Sequence, residues 1–351
     1  VGECIPLQGP SSNKSSALHE GIALAAEEIN NRGGILGKKV ELRQEKYDGS
    51  ESGTQDAFKK LLSMEDIVAV VGDTINKNAL NTVSLAQTNK APIIVPSTTG
   101  SSVGKSNDRF FRMCFSDDFQ GSACAVFCIQ SLKAKSAAIL TEAKNNYSKT
   151  MASSFQKTFE SKGGIVVTAH AFSSGSKDFR SQLKTIKSNG PDVIFTPVND
   201  TDAIIIASQA RELGINVPLI GGSQWQSQSE LISNEKSLNG SYFSTHFSVF
   251  ENRPSVDQFA KSFRAKYKKD PDAFAALGYD SMWILSEAIK KAGVTDGEAV
   301  SKALAQTTDY PGVTGRITIN GQKITSKPAI IVKVKNGKLV PVVSINPEII
   351  K

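Results

Sequence analysis

Residues 1–47 read VGECIPLQGPSSNKSSALHEGIALAAEEINNRGGILGKKVELRQEKY, a helical stretch between two β-rich runs. From Ala17 to Asn30 the apolar residues Leu18, Ile22, Ala25 and Ile29 share one face of a 3.6-residue period, and Glu20, Glu27 and Glu28 lie off it. Ser16 is placed as the N-cap and Gly33-Gly34 as the stop. The flanking runs, Val1 to Leu7 and Val40 to Tyr47, are read as strands. A strand, helix, strand unit of this kind predicts an α/β fold in which parallel sheets carry helices on both faces.

The same beat continues outward. Further strands are predicted at Ile67 to Gly72, Pro92 to Val95, Ala137 to Thr141, Gly164 to Ala169, Asp192 to Thr196 and Pro218 to Gly221, with helical patterns between them. A connection from Pro96 to Asp117 has neither period, and loops of that length inside compact domains are usually functional. Helices at Ser255 to Lys268 and Ala273 to Lys291 precede a β-rich tail, Gly315 to Ile319, Ala329 to Lys335 and Leu339 to Ile345. These last elements are read as additions to sheets already built.

A chain of 351 residues predicts two domains at roughly 150 residues each, large enough to need no disulfide or metal staple. Apolar stretches such as Ile67 to Val71 and Ala203 to Ala207 are far short of the roughly 20 residues of a membrane span. The net charge of +7 is spread over scattered lysine pairs, and aromatics are only 7%. That pattern argues against nucleic-acid binding, which wants a basic stripe interleaved with aromatics. The four cysteines at 4, 114, 124 and 128 contain no CxxC. Cys124 and Cys128 fall on one helix face as packing residues, which leaves the redox compartment open. Val1 starts within a strand with no basic or apolar leader before it, so an export signal is either already removed or was never there.

Catalytic motifs are missing: there is no GxSxG, GxGxxG or HExxH, and His19, His170 and His246 lack partners at metal or triad spacing. No enzyme, cofactor or metal is therefore expected. The run Gly100 to Ser106 is one residue short of a phosphate loop and lacks the following helix that must hold the phosphate. More informative is Pro96-Ser97-Thr98-Thr99-Gly100, three hydroxyls directly after a strand, where ligands of open parallel sheets bind. Hydroxyls with free backbone N–H groups suit a carboxylate; an ordinary Ser/Thr turn is the plain alternative. Asn76 and Lys77 follow the strand ending at Gly72 and occupy the same edge. Asn145-Asn146-Tyr147, Asn199-Asp200 and Ser223-Gln224-Trp225 repeat the arrangement in the second half, which suggests a cleft between two lobes.

Over nearly its whole length the chain resembles the bacterial extracellular solute-binding proteins of the leucine/isoleucine/valine-binding type. The residues that carry the resemblance are Gly21 and Glu27 to Asn30, Gly33 to Gly37, Val70 to Gly72, Pro92 to Thr99, Phe111-Arg112, Gln120-Gly121, Tyr147-Ser148, Asp178-Phe179, Ala210 to Gly214, Gly221-Gly222, Gly278 to Asp280 and Gly312 to Gly315. It implies a two-lobed type I periplasmic binding protein fold with a three-segment hinge, the chain crossing near Phe119, Ser248 and Lys327. The lobes expected are 1–118 with 250–327 and 119–249 with 328–351. Such proteins capture a small molecule, close by hinge motion and deliver it to ABC permease subunits. They act outside the cytoplasmic membrane, some lipid-anchored, and a monomer is expected.

By motif position the resemblance assigns the ligand's carboxylate to Asn76, Ser97, Thr98 and Thr99, and the second lobe's aromatic to Tyr147. The usual ammonium-binding acid falls on Ser223, and an acid often found three residues later is Gln226. Asp200 is the candidate replacement, with Asn199 beside it. Alternatively Lys14 and Lys77 face a ligand with extra negative charge, such as a dicarboxylate, or an aromatic acid stacked on Trp225 or Phe274; Gln224 completes the set. The disulfide of some relatives is absent, its positions being about Ser50 and Ile75. A ligand-sensing receptor domain of the same fold is the rival reading. A LacI-type regulator would require a DNA-binding helix-turn-helix, whereas this sequence opens on a strand.

Overall fold

The structure is a computed structural model and describes residues 1–6, 12–72, 84–85, 91–100, 109–225, 228–321 and 324–350. In chain order the elements begin with β1 Gly2–Pro6, α1 Ser12–Asn31, β2 Arg43–Tyr47, α2 Glu51–Leu62, β3 Val70–Gly72, β4 Ile93–Val95 and β5 Phe110–Arg112. There follow α3 Asp117–Gln130, β6 Ser136–Glu142, α4 Asn146–Ser161, β7 Ile165–Phe172, α5 Arg180–Asn189, β8 Val193–Phe195, α6 Asp200–Glu212 and β9 Leu219–Gly221. Next come the short helices α7 Gln228–Ser233 and α8 Glu235–Leu238, then β10 Tyr242–Thr245, α9 Pro254–Tyr267, α10 Ala273–Ala292 and α11 Gly297–Ala305. The chain finishes through β11 Tyr310–Gly312, β12 Gly315–Ile319, β13 Thr325–Ser326, β14 Ala329–Lys335 and β15 Lys338–Ile345.

Two compact units divide the chain: Val1–Phe115 with Glu251–Lys327, and Ser116–Phe250 with Pro328–Lys351. In the first, five strands form an all-parallel sheet in the order β2-β1-β3-β4-β5. Alternation sends Val71, Ile94 and Phe111 into a core with the predicted face of α1 (Leu18, Ile22, Ala25, Ile29) and with Ile284 and Leu285 of α10. Val70, Ile93 and Phe110 point the other way, onto Phe58 and Leu61 of α2. The sheet is thus covered on both faces, each fully buried large side chain contributing roughly 1.5 to 3 kcal/mol. Helix α1 starts five residues earlier than its sequence pattern suggested, so Ser16 lies within it and is not its cap. Gly278 lets α10 lie against α1, because a Cβ there would sit 2.3 Å from the Leu18 carbonyl oxygen.

The second unit repeats the parallel arrangement as β7-β6-β8-β9-β10 and then adds β14 and β15 antiparallel at the β10 edge. β14 and β15 therefore extend an existing sheet, as their alternation implied, whereas Gly315 to Ile319 does not: as β12 it pairs with β11 and β13 in a separate three-stranded antiparallel sheet. One face packs Leu140, Ile194 and Val332 against Leu183, Ile186, Ala203 and Ile206. On α4, Phe155 stacks on Phe195 at 4.1 Å and on Phe159 at 5.3 Å. The sequence left Pro96 to Asp117 without an element, yet β5 lies there. A strand of three residues, buried on both faces, carries no alternation to read. Among the described residues no helix is long and apolar enough to cross a membrane.

Candidate ligand-binding strand ends

In a parallel sheet all the carboxyl ends lie at one edge, and at that edge of the first unit the chain leaves β4 through Pro96 to Gly100. Thr98 and Thr99 are buried and Ser97 is half-buried. Three consecutive carbonyls of this loop are tied back by residues at the end of β5. The Cys114 thiol donates to the Thr98 carbonyl at 3.0 Å, and Arg112 Nη1 donates to the Thr99 and Gly100 carbonyls at 3.2 and 2.6 Å. Among the described residues the amides of Thr99 and Gly100 and the Thr99 hydroxyl make no hydrogen bond. The loop therefore holds the kind of donors a carboxylate accepts from.

Lys14 and Phe274, both named from sequence, meet each other: the ammonium lies 5.7 Å from the ring centroid, a cation–π pair between the first turns of α1 and α10. Asn76 and Lys77, with Ile75 of the absent disulfide, lie outside the described residues, as does 101–106 of the phosphate-loop near miss.

At the matching edge of the second unit Tyr147 opens α4. Its hydroxyl donates to Gln120 Oε1 at 3.0 Å, and Ser223 donates to the same oxygen at 3.3 Å. Burial pushes the phenol pKa well up; the carboxylate of Asp117 adds to this, and hydrogen bonding by Ser223 and the Gln224 amide opposes it. Gly222 admits the phenol, since a Cβ there would fall 2.1 Å from the tyrosine oxygen. Tyr147, Gln120, Ser223 and Gln224 thus form one interlocked polar group that fixes the loop after β9.

Two expectations at this edge are corrected. Trp225 is not a platform open to a ligand: it is buried in the unit's core, 5.9 Å from Phe243, with its ring against Gly221, because so large an apolar surface is stabilised by packing. Asn199 is the N-cap of α6; its Oδ1 accepts from the Asp202 amide and its Nδ2 donates to Asp202 Oδ2, each at 2.9 Å, so its side chain is engaged in the cap. Asp200 sits half-buried in the first turn and accepts from the Thr201 amide at 3.0 Å. The buried acid is instead Asp202, its pKa raised chiefly by burial and partly restrained by Asn199.

The sequence missed a second polar cluster, in the first unit. Asp280 on α10 accepts from the Val313 and Thr314 amides at 2.8 and 2.9 Å and from the Thr314 hydroxyl at 2.6 Å. That hydroxyl in turn accepts from Lys327 Nζ at 2.7 Å. Burial lowers the Lys327 pKa to about 8 against the pull of Asp280, and burial raises that of Asp280. Arg253 donates to the Gly312 and Val313 carbonyls and pairs with Glu251 at 3.1 Å, while the Lys327 ammonium lies 6.0 Å from the Phe115 ring centroid. Residues at or beside all three passages between the units, Phe115, Glu251 and Lys327, therefore connect to the segment 312–314. The only sequence signal was the pair of short motifs Gly278-Tyr279-Asp280 and Gly312 to Gly315.

Comparison with known proteins matches residues 1–338 to the sequence profile of a periplasmic binding protein family. The Leu/Ile/Val-binding protein BraC3 of Rhizobium johnstonii is 28% identical over 343 residues, 97% of this chain and 92% of that protein. Among solved structures, a leucine-binding protein LivK of Thermotoga maritima is 29% identical with a TM-score of 0.86, covering 99% of this chain and 98% of that one. The branched-chain amino acid transporter substrate-binding protein LivJ of Streptococcus pneumoniae, solved in complex with isoleucine, is also 29% identical, with a TM-score of 0.86 and 99% of both chains covered.

Proposed function

Since the chain belongs to the periplasmic binding proteins, we propose that it is the solute-binding component of an ABC importer, working outside the cytoplasmic membrane and capturing an amino acid or related small carboxylate for delivery to permease subunits. The observation that carries this reading is the loop after β4. There buried threonines and unengaged amides follow a parallel strand, and nothing on the loop is acidic. The LivK and LivJ relatives bear leucine and isoleucine in their descriptions, which supports an α-carboxylate as the group received. Polar groups of the second unit, Ser223, Gln224 and Asp200 with Tyr147 behind them, are proposed to contact the rest of the same ligand.

A second reading, a non-amino organic acid, is favoured by one specific feature. The position of the usual ammonium acid is Ser223, whose hydroxyl is engaged with the neutral Gln120. A buried ammonium without an acidic partner is strongly unfavourable.

A thermal-shift panel of amino acids, dicarboxylates, aromatic acids and sugars on protein shown to be ligand-free distinguishes the readings. A ligand at about 100 times its Kd adds about 2.7 kcal/mol to the native state. Stabilisation by a branched-chain amino acid supports the first reading, and stabilisation by benzoate or succinate alone supports the second. Stabilisation by a neutral sugar and by no acid refutes both.

A further inference from the structure

Two buried side chains, Arg112 and Cys114, hold the carbonyl side of the loop after β4. In a trans peptide the C=O of one residue and the N–H of the next point in opposite directions. With the Thr98, Thr99 and Gly100 carbonyls drawn onto Cys114 and Arg112, the amides of Thr99 and Gly100 must face away from those two side chains, and they are among the groups left unengaged. Successive N–H groups directed to one side make an anion-binding concavity.

Arg112 is fully buried, and among the described residues its Nε and Nη2 have no hydrogen-bond partner. Its backbone is fixed from the other side: the Thr325 hydroxyl donates to the Arg112 carbonyl at 2.6 Å, and Ile324 bridges to the same residue. A guanidinium buried on carbonyls alone is a poor device for stability, because desolvating it is expensive and an apolar side chain could fill its volume. Placed behind a row of peptide dipoles it has another effect. Its charge sits at the carbonyl ends of the Thr99 and Gly100 peptides, beside the Thr98 carbonyl held by the Cys114 thiol, so the positive amide ends are presented on the opposite side, and the low local dielectric strengthens both interactions.

We infer that Arg112 is a positioning residue that, with Cys114 holding the adjoining Thr98 carbonyl, orients the Thr98–Gly100 peptides into a carboxylate-accepting nest, and that its charge makes that nest selective for acids over their neutral amides. This rests on the carboxylate reading of the loop after β4.

The test measures affinities by calorimetry for three probe pairs, L-isoleucine with L-isoleucinamide, benzoate with benzamide and succinate with succinamide, in the wild type, Arg112→Gln and Arg112→Lys. In the wild type, whichever pair binds should show the acid preferred. In Arg112→Gln the acid should weaken roughly 10- to 100-fold, the loss expected for charge-assisted hydrogen bonding, while its amide changes less than about threefold. Arg112→Lys should recover much of the preference. Equal losses for acid and amide in Arg112→Gln, or no loss, overturn the inference and leave the carboxylate reading standing; no acid preference in the wild type overturns both. If neither variant melts cooperatively, hydrogen exchange of the Arg112 guanidinium in the wild type decides: it should slow when the acid is bound and not when the amide is, and unchanged exchange counts against the inference.

Discussion

Replacing Lys327 by Met removes the ammonium that donates to the Thr314 hydroxyl while leaving Asp280 its three hydrogen bonds. In the folded chain Lys327 titrates at about 8, against 10.5 for an ordinary lysine. Between those two pH values the unfolded chain binds the proton and the folded chain has released it, so stability rises with pH across that window. At roughly 1.4 kcal/mol per pH unit, the interval from about 8 to 10.5 is worth about 3 kcal/mol. Denaturant unfolding of the wild type and Lys327→Met, at intervals from pH 6.5 to 11, measures this as the difference between the two curves. Relative to the variant, the wild type should gain about 3 kcal/mol between pH 8 and 10.5 and be flat below pH 7. A difference that stays constant across the alkaline range, or falls, refutes the argument that burial holds this lysine near its neutral form.

Thr99→Ala should weaken the bound acid by about 1.5 to 3 kcal/mol in calorimetry, with little change in the unfolding of ligand-free protein. Asp200→Asn should abolish binding of an amino acid and leave a non-amino acid ligand unaffected, whereas Tyr147→Phe, which loses the phenol's hydrogen bonds with Gln120, Ser223 and the Gln224 amide, should weaken either about tenfold; affinities measured on both variants decide between the two ligand classes. Gly278→Ala pushes a methyl into the Leu18 carbonyl of α1 and should cost about 1 to 3 kcal/mol, read as a lowered Tm.

The elements legible in the sequence were those with a period. Leu18, Ile22, Ala25 and Ile29 repeat on one face, and the structure buries all four. The β-rich runs flanked by helical stretches became parallel strands, and the alternating tail became β14 and β15. β5 and β10 were illegible because short strands buried on both faces look like any apolar stretch. At the candidate site, strand-end position alone pointed to Ser97, Thr98 and Thr99, but it could not distinguish groups offered to a ligand from groups engaged internally. Asn199 proved to be a helix cap, Trp225 a core residue and Tyr147 a clamp on the loop after β9. The roles of Arg112, Gln120 and Lys327 come from hydrogen bonds between residues distant in sequence, 103 positions apart for Gln120 and Ser223 and 213 for Arg112 and Thr325. No local pattern encodes those.

The pairing of β10 with β14 joins Tyr242 to Lys333, so the last strands of the second unit's sheet come from the final residues of the chain. This segment is made after every other strand of that sheet. Until it emerges, β10 is an edge strand with unpaired N–H and C=O groups, a template for pairing with other chains. The first unit is equally unfinished until the return passage from Glu251 to Lys327 has been made. Neither unit is complete until residues far along the chain have been made: the first waits for Lys327 and the second for β14 and β15. A chain shortened after Lys327 would keep a finished first unit and an open-edged second one, and would aggregate through β10.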